Sequence, residues 1–193
     1  MGSRSSSFDL TKVTASGILC LEEMVQITLL DSQAEVPPDW LVITCATCVE
    51  SHFDRVLRSL IAASGVRQNK FSNSLYEFLH DDIFKNWDSR LNWLKNGFSV
   101  AIAGDRAIQD FRTVVDLRNA IVHGQGHLTE VQQKSLERLL DLKRNLTRLL
   151  NVQFSGHKIL IPPDIGLKVV KVCRDAVILL DNSILQEYPD IRV

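Results

Sequence analysis

Apolar residues along the chain recur every three or four positions, which is the spacing of a helix with one buried face. The clearest stretch covers residues 39–63, and Pro37 and Pro38 suit the start of a helix there. Its predicted inner face consists of Val42, Ala46, Val49, Phe53, Val56, Leu57 and Leu60. The pattern therefore predicts one long helix in the first third of the chain.

The same periodicity predicts helices along the rest of the chain. They are expected over residues 10–30, 74–83, 88–95 and 105–123, around Leu136 to Leu149, and after Asp164. No repeat and no series of alternating strand positions interrupts them, although residues 158–161 favour a short extended piece. We expect an all-α fold, an up-and-down bundle of about five to seven helices. Residues 9–193 would form one domain, preceded by a disordered tail over residues 1–8.

Turn and cap residues predict where several of these helices begin and end. Gly124 suits the left-handed position that follows the fifth predicted helix. Thr129 and Gln132 have the spacing of a capping box, which predicts that the helix carrying Leu136 starts there. Asp164 is expected to cap the last helix.

A permanent charge interrupts the apolar face of the fifth predicted helix. At about 100° per residue, Arg118 projects into the centre of that face, between Phe111 and Val122. Asn119 and His123, one turn apart, lie along its edge. A guanidinium cannot lose its proton, so it needs a carboxylate, a phosphate or water as its partner.

Glu50 interrupts the apolar face of residues 39–63 in the same way. Two helices therefore each carry one misplaced charge, of opposite sign, and pairing them is the least costly way to bury both. We predict an ion pair between Glu50 and Arg118 across the helix interface. Taken alone, such a pair is also compatible with a purely structural role.

The composition is that of an ordinary globular domain, with 45% hydrophobic and 23% charged residues. The net charge of −1 supplies no overall attraction to nucleic acid or membrane, so any polyanion must bind at a local patch. No apolar stretch approaches the roughly 20 residues of a membrane span. The polar N-terminus lacks the apolar core of a signal peptide. These features predict a cytoplasmic protein with no membrane partner.

The basic residues other than Arg118 are weak candidates for contact with RNA. Lys143, Arg144 and Arg148 follow one predicted helix, and Arg112 lies near the start of the preceding one. Charged runs on helix surfaces are more often solvated faces than binding tracks. These four side chains are therefore only secondary candidates for an RNA-backbone contact.

The cysteines do not indicate a metal site. Cys45 and Cys48 form a C-x-x-C, but within a predicted helix and without a second ligand pair at matching spacing. The simpler interpretation is that the cysteines are small core residues in a reducing compartment. His123 and His127 are also a weak pair, because glycines break the helix that would align them. No metal or other cofactor is expected.

The residues from Asp116 to Gly124 match a known pattern. Arg118 is followed directly by a polar residue, Asn119, and five positions later by His123. This run ends a predicted helix just before Gly124. Of the 5 histidines in the chain, only His123 has an arginine at that distance. This run resembles the motif of the HEPN domain family, in the form found in its ribonuclease branches. The resemblance extends over about residues 35–185, with its specific part in the nine residues of the motif.

The resemblance implies a metal-independent endoribonuclease that acts as a homodimer through the motif helix, commonly a toxin or a defence effector. By position, Arg118 and His123 would be the catalytic pair, Asn119 an accessory polar residue, and Glu50 the residue that orients the arginine. Arg118 would hold the scissile phosphate. His123 would take the proton of the RNA 2′-hydroxyl, and His123 of a second copy would protonate the leaving 5′-oxygen. The product would be a 2′,3′-cyclic phosphate.

Two further expectations accompany the resemblance. A separate antitoxin or regulatory chain would be a second partner beside the RNA substrate. The alternative is a non-catalytic HEPN-like module for binding or dimerisation, in which the charged residues serve the structure alone.

Overall fold

The computed structural model describes residues 9–32 and 36–193, and this part of the chain folds into seven α-helices and one short hairpin. The helices are α1 (Ala15–Ser32), α2 (Pro38–Ala63), α3 (Lys70–Phe84), α4 (Trp87–Phe98), α5 (Arg106–Gly124), α6 (Leu136–Leu150) and α7 (Ile165–Glu187). A single 3-10 turn, Val66–Gln68, joins α2 to α3. The prediction of an all-α bundle is confirmed. The predicted tail over residues 1–8 lies outside the described residues.

Two helices organise the core. Helix α2 packs against α1, α4, α5 and α7, and α7 packs against α1, α2, α5 and α6. All seven residues of the predicted inner face of α2 are buried. Buried apolar side chains from every helix join one cluster, so the molecule has a continuous hydrophobic core.

Helix α1 begins at Ala15, five residues later than the predicted start at Leu10. The backbone N–H and the hydroxyl of Thr14 both donate to Oδ2 of Asp181 on α7, at 2.9 and 3.0 Å. Before this point the Asp9 carboxylate accepts from the Thr11 N–H (3.0 Å). These side-chain contacts keep residues 9–14 out of the helix and attach this segment to Asp181 on α7. The apolar spacing alone does not reveal them.

Helix α5 ends one residue later than predicted. Gly124 is still helical, and the left-handed position is taken by Gln125, whose φ is 51°. The Gln125 N–H reaches back to the Ala120 carbonyl, and the N–H of Gly126, at φ 81°, binds the same oxygen (3.1 Å). Two consecutive left-handed residues make the exit from the helix, and the glycine serves the second of them.

The predicted capping box forms, but it does not start a helix. Thr129 N–H donates to the Gln132 side chain (3.0 Å), and Gln132 N–H donates to the Thr129 hydroxyl (3.3 Å). The Gln132 amide also donates to the Asp116 carbonyl (2.8 Å), which ties this turn to α5. Helix α6 begins only at Leu136, where the Ser135 hydroxyl accepts from the Arg138 N–H. The motif was correct as a local structure and wrong as a helix boundary.

The remaining boundaries are close to the predicted ones. Asn69 and Asn86 cap α3 and α4 with their side chains, and both helices are longer than predicted. Asp164 precedes α7 as expected, but its carboxylate pairs with Lys168 (3.1 Å) and makes no capping hydrogen bond. The extended piece is strand β2 (Lys158–Leu160), which pairs with an unpredicted strand β1 (Gln153–Ser155).

The four cysteines are free thiols buried in the core, as predicted. Burial raises the pKa of the Cys20 and Cys48 thiols to about 12. Within the described residues, no helix has the length and apolar character needed to cross a membrane.

Candidate active site

The site lies where the apolar face of α5 emerges from the core. Phe111 is fully buried, because Trp87 at the start of α4 packs on its ring in a T-shaped contact (4.8 Å between centroids). One and two turns later, Val115 and Arg118 are half-buried, and Val122 is 42% exposed. Arg118 is therefore not in the centre of a buried stripe, as the spacing predicted. The apolar face of α5 extends beyond the part that Trp87 of α4 covers, so its last turns are left partly open.

The uncovered part of α5 forms one wall of a cavity of about 230 Å³. The other walls come from α2 and from the junction between α3 and α4. The lining residues are Ala46, Glu50, Lys85, Asn86, Trp87, Arg90, Val115, Arg118, Asn119 and His123. The structure thus brings all four principal residues predicted from the sequence, Glu50, Arg118, Asn119 and His123, into one cavity.

Arg118 contacts the two polar residues of its own helix. Its Nη1 group donates to Oδ1 of Asn119 (3.1 Å) and lies 3.3 Å from Nε2 of His123. Because a guanidinium has only donors, Nε2 must accept in this contact, which places the imidazole proton on Nδ1. His123 is exposed in the last turn of α5. The arrangement presents a cation, an amide and an imidazole together at the cavity surface.

The predicted ion pair between Glu50 and Arg118 is wrong. Glu50 Oε1 lies 3.0 Å from Nη2 of Arg90, on α4. The Arg90 guanidinium also donates to both oxygens of Asp54, at 2.7 and 3.3 Å. Arg90 is only 5% exposed, so its charge needs these partners more than the half-buried Arg118 does. Glu50 orients an arginine, but a different one from that predicted.

This exchange of partners leaves Arg118 uncompensated. Among the described residues, no carboxylate oxygen lies within 4 Å of its guanidinium. Lys85 adds a second cation to the cavity, held only by a loose exposed contact with Asp82 (3.8 Å). Besides the paired Arg90, the cavity therefore offers an anion two cationic groups, of which Arg118 is positioned by its contacts with Asn119 and His123.

Arg90 was not identified from the sequence, although a signal was present. On α4, Trp87, Leu91, Leu94 and Phe98 follow helical spacing, and Arg90 falls at the edge of the same face. The reasoning that selected Arg118 selects Arg90 equally well. Arg90 and Arg118 are both candidates for an ion pair with Glu50, and only the three-dimensional packing determines that Arg90 forms it.

The secondary basic candidates have other partners. Arg112 binds Asp88 (2.6 Å), Arg144 binds Asp141 (3.1 Å) and Arg148 binds Asp110 (3.4 Å). The Lys143 ammonium donates to the Gly156 carbonyl in the hairpin turn (2.8 Å). None of these four side chains lines the cavity of Arg118.

A second polar cluster, not identified from the sequence, lies inside the core. Nδ1 of His52 is 3.0 Å from the Ser16 hydroxyl, and Nε2 is 2.9 Å from Oδ1 of Asp181. His52 and Asp181 are completely buried and Ser16 is 4% exposed, so no substrate reaches this serine, histidine and aspartate. The cluster joins α1, α2 and α7, and we interpret it as structural.

The described residues hold no group of three or more histidine, cysteine or acidic side chains placed to bind a metal ion. His127 does not line the cavity and instead forms a β-bridge with Lys158. Comparisons with models of protein families, with curated proteins and with solved structures found no match for this chain.

Proposed function

We propose that the chain is a metal-independent endoribonuclease whose reaction centre is the cavity of Arg118, Asn119 and His123. The observation that carries the proposal is the uncompensated guanidinium of Arg118, in contact with an exposed imidazole. A cation without a carboxylate partner at the mouth of a cavity is suited to bind a phosphate. An imidazole beside that phosphate is suited to move a proton at neutral pH.

RNA carries its own nucleophile, the 2′-hydroxyl, so phosphodiester cleavage needs only a group that binds the phosphate and groups that transfer protons. Arg118 would bind the non-bridging oxygens of the scissile phosphate and stabilise the charge that develops there. On binding, it would exchange its contact with Nε2 of His123 for the phosphate, which frees that nitrogen for proton transfer. Asn119 would hold the guanidinium in position. The products would be a 2′,3′-cyclic phosphate and a 5′-hydroxyl.

The HEPN resemblance of residues 116–124 supports the same chemistry and extends the proposal to the biological context. It implies a homodimer through α5 with a composite site, a cytoplasmic toxin or defence effector, and a separate chain that restrains it. In that arrangement, His123 of a second copy is the other proton-transfer group.

The test is cleavage of labelled RNA, single-stranded and structured, by purified protein in EDTA. We expect wild-type cleavage with cyclic phosphate ends, and a loss of about 10²–10⁴-fold in His123→Ala. Arg118→Ala should lose about 10²–10³-fold. His127→Ala and Arg174→Ala are matched controls, because both side chains lie outside the cavity and neither is a candidate RNA contact, and they should retain activity.

Two outcomes would overturn the proposal. Equal cleavage by all five proteins would indicate a contaminating nuclease. Binding of RNA without cleavage, weakened by Arg118→Ala and unchanged by His123→Ala, would indicate the non-catalytic module instead.

A further inference from the structure

Glu50 is the one carboxylate among the residues that line the cavity, and the nuclease proposal leaves it without a chemical task. Its predicted task, to orient Arg118, is excluded by its contact with Arg90. A carboxylate in the same cavity as a phosphate-binding arginine and a histidine nevertheless has chemical consequences.

The Glu50 carboxylate is held firmly and is still accessible. One oxygen, Oε1, is 3.0 Å from the buried Arg90, which two contacts from Asp54 fix in turn. The Glu50 side chain is nevertheless 35% exposed where it lines the cavity. A carboxylate with one oxygen in an ion pair, on a side chain that still reaches the cavity, is placed to accept a proton from a ligand.

Glu50 and His123 reach the cavity from different helices. Phe53 of α2 stacks on Phe111 of α5. Ala46 and Glu50, which precede Phe53 on α2, line the same cavity as Arg118 and His123, which follow Phe111 on α5. Here the two helices run in opposite directions. A phosphate held by Arg118 would therefore share this cavity with a carboxylate from α2 and an imidazole from α5.

We infer that Glu50 is the general base of the proposed reaction and His123 the general acid. Glu50 then replaces the second copy's His123 of the composite site that the HEPN resemblance implies, and a single chain carries a complete site. This inference rests on the proposed ribonuclease function. The Glu50 carboxylate takes the proton of the 2′-hydroxyl as the 2′-oxygen bonds to phosphorus. The bond from phosphorus to the 5′-oxygen breaks, and His123, which takes up a proton from water at Nε2 once Arg118 has exchanged that contact for the phosphate, donates this proton to the 5′-oxygen. Exchange with water then returns the proton from Glu50 and restores the one on His123.

The Arg90 pair supplies a matched control. Glu50→Gln and Asp54→Asn each remove one negative partner of Arg90, but only Glu50 lines the cavity. We expect kcat to fall about 10²-fold or more in Glu50→Gln and less than about 10-fold in Asp54→Asn, with a similar loss of stability in both. The rise of the wild-type rate with pH, which reports the base, should vanish in Glu50→Gln and persist in Asp54→Asn. Equal kcat losses and equal pH profiles in the two variants would overturn the inference.

Chemical rescue separates a base from a structural residue. Glu50→Ala leaves space for a small carboxylate, so added formate should restore a measurable part of its activity. His123→Ala should gain nothing from formate. A failure of formate to act on Glu50→Ala, in a protein that still folds by circular dichroism, counts against the base role.

Dilution distinguishes the one-chain site from a composite one. Specific activity should stay constant when wild-type protein is diluted to concentrations at which light scattering finds only monomer. A fall in parallel with dimer dissociation would overturn the one-chain site while leaving the ribonuclease proposal intact. Absence of any wild-type cleavage would overturn both.

Discussion

At the scale of single residues, Arg90 determines the charge that the cavity presents. It is buried between two carboxylates, Glu50 and Asp54, and the three groups together carry one net negative charge. Without Arg90, Glu50 would be free to pair with Arg118 in the same cavity, which would then keep only Lys85 as an accessible cation. A residue that touches no ligand in our proposal therefore keeps the phosphate site open.

Replacement of Arg90 by methionine should destabilise the protein by about 3 kcal/mol, because it leaves Glu50 and Asp54 without their buried partner. Urea unfolding measures the change. Arg174→Met is the control, since Arg174 forms an exposed pair with Asp175, and should change stability by less than about 1 kcal/mol. A loss in Arg90→Met no larger than in the control would show that the buried pair contributes little.

Asp116 gives a pH-dependent prediction. Burial raises the pKa of its carboxyl above the ordinary value of an aspartate. The native state therefore favours the protonated carboxyl, and stability is lost as pH rises through the raised pKa. We expect Asp116→Asn to be more stable than wild type at pH 7, and this difference should shrink towards pH 3.5. Urea unfolding at both pH values measures it, and a difference that does not depend on pH would contradict the burial of this carboxyl.

At the scale of elements, the helices were predictable and the partners of their charges were not. The face of α2 was correct at all seven positions, because apolar spacing reports burial directly. The helix starts at Leu10 and Thr129 were wrong, because hydrogen bonds to Asp181 and Asp116 on distant helices hold those segments. The cavity residues on α2 and α5 were found from their spacing. The ion pairs of Arg90 with Glu50 and Asp54 depend on how α4 packs on α2, and no local sequence pattern gives that packing.

The caps of α6 and α7 provide a contrast at this scale. Ser135→Ala removes a side-chain acceptor of the Arg138 N–H and should cost about 1 kcal/mol. Asp164→Ala removes no capping hydrogen bond, only an exposed pair with Lys168, and should cost less than about 0.5 kcal/mol. Thermal unfolding of the two variants tests this order. A larger loss in Asp164→Ala would show that the aspartate caps the helix in solution.

At the scale of the whole molecule, the cluster of Ser16, His52 and Asp181 joins the two ends of the described chain. Asp181 accepts two hydrogen bonds from Thr14 and contacts His52, so one carboxylate links α1 and α2 to α7. Every member of this cluster has a partner, which is the condition under which buried polar groups specify one packing. The tight approach of α1 to Asp181 depends on the absence of a side chain at Gly17.

Gly17→Ala should destabilise the protein by about 3 kcal/mol. A Cβ atom there would lie 1.9 Å from Oδ2 of Asp181, whose hydrogen bonds prevent an easy retreat. Gly104→Ala is the matched control, because a Cβ at Gly104 meets no atom within 4 Å. Thermal unfolding should show a large loss in Gly17→Ala and little change in Gly104→Ala. Similar stability of the two variants would show that α1 does not pack this closely on α7.

The position of Asp181 in α7, later in the sequence than every residue that lines the cavity, has a consequence for how the protein is made. All residues that line the Arg118 cavity lie between Ala46 and His123 and leave the ribosome early. The helices that carry most of them, α2 and α5, pack on α7, which is synthesised after both. At about 5–20 residues per second, several seconds separate the synthesis of His123 from that of Asp181. The cavity walls therefore gain this support only after α7 has been made, so the residues proposed to cut RNA are synthesised seconds before the helix on which α2 and α5 pack.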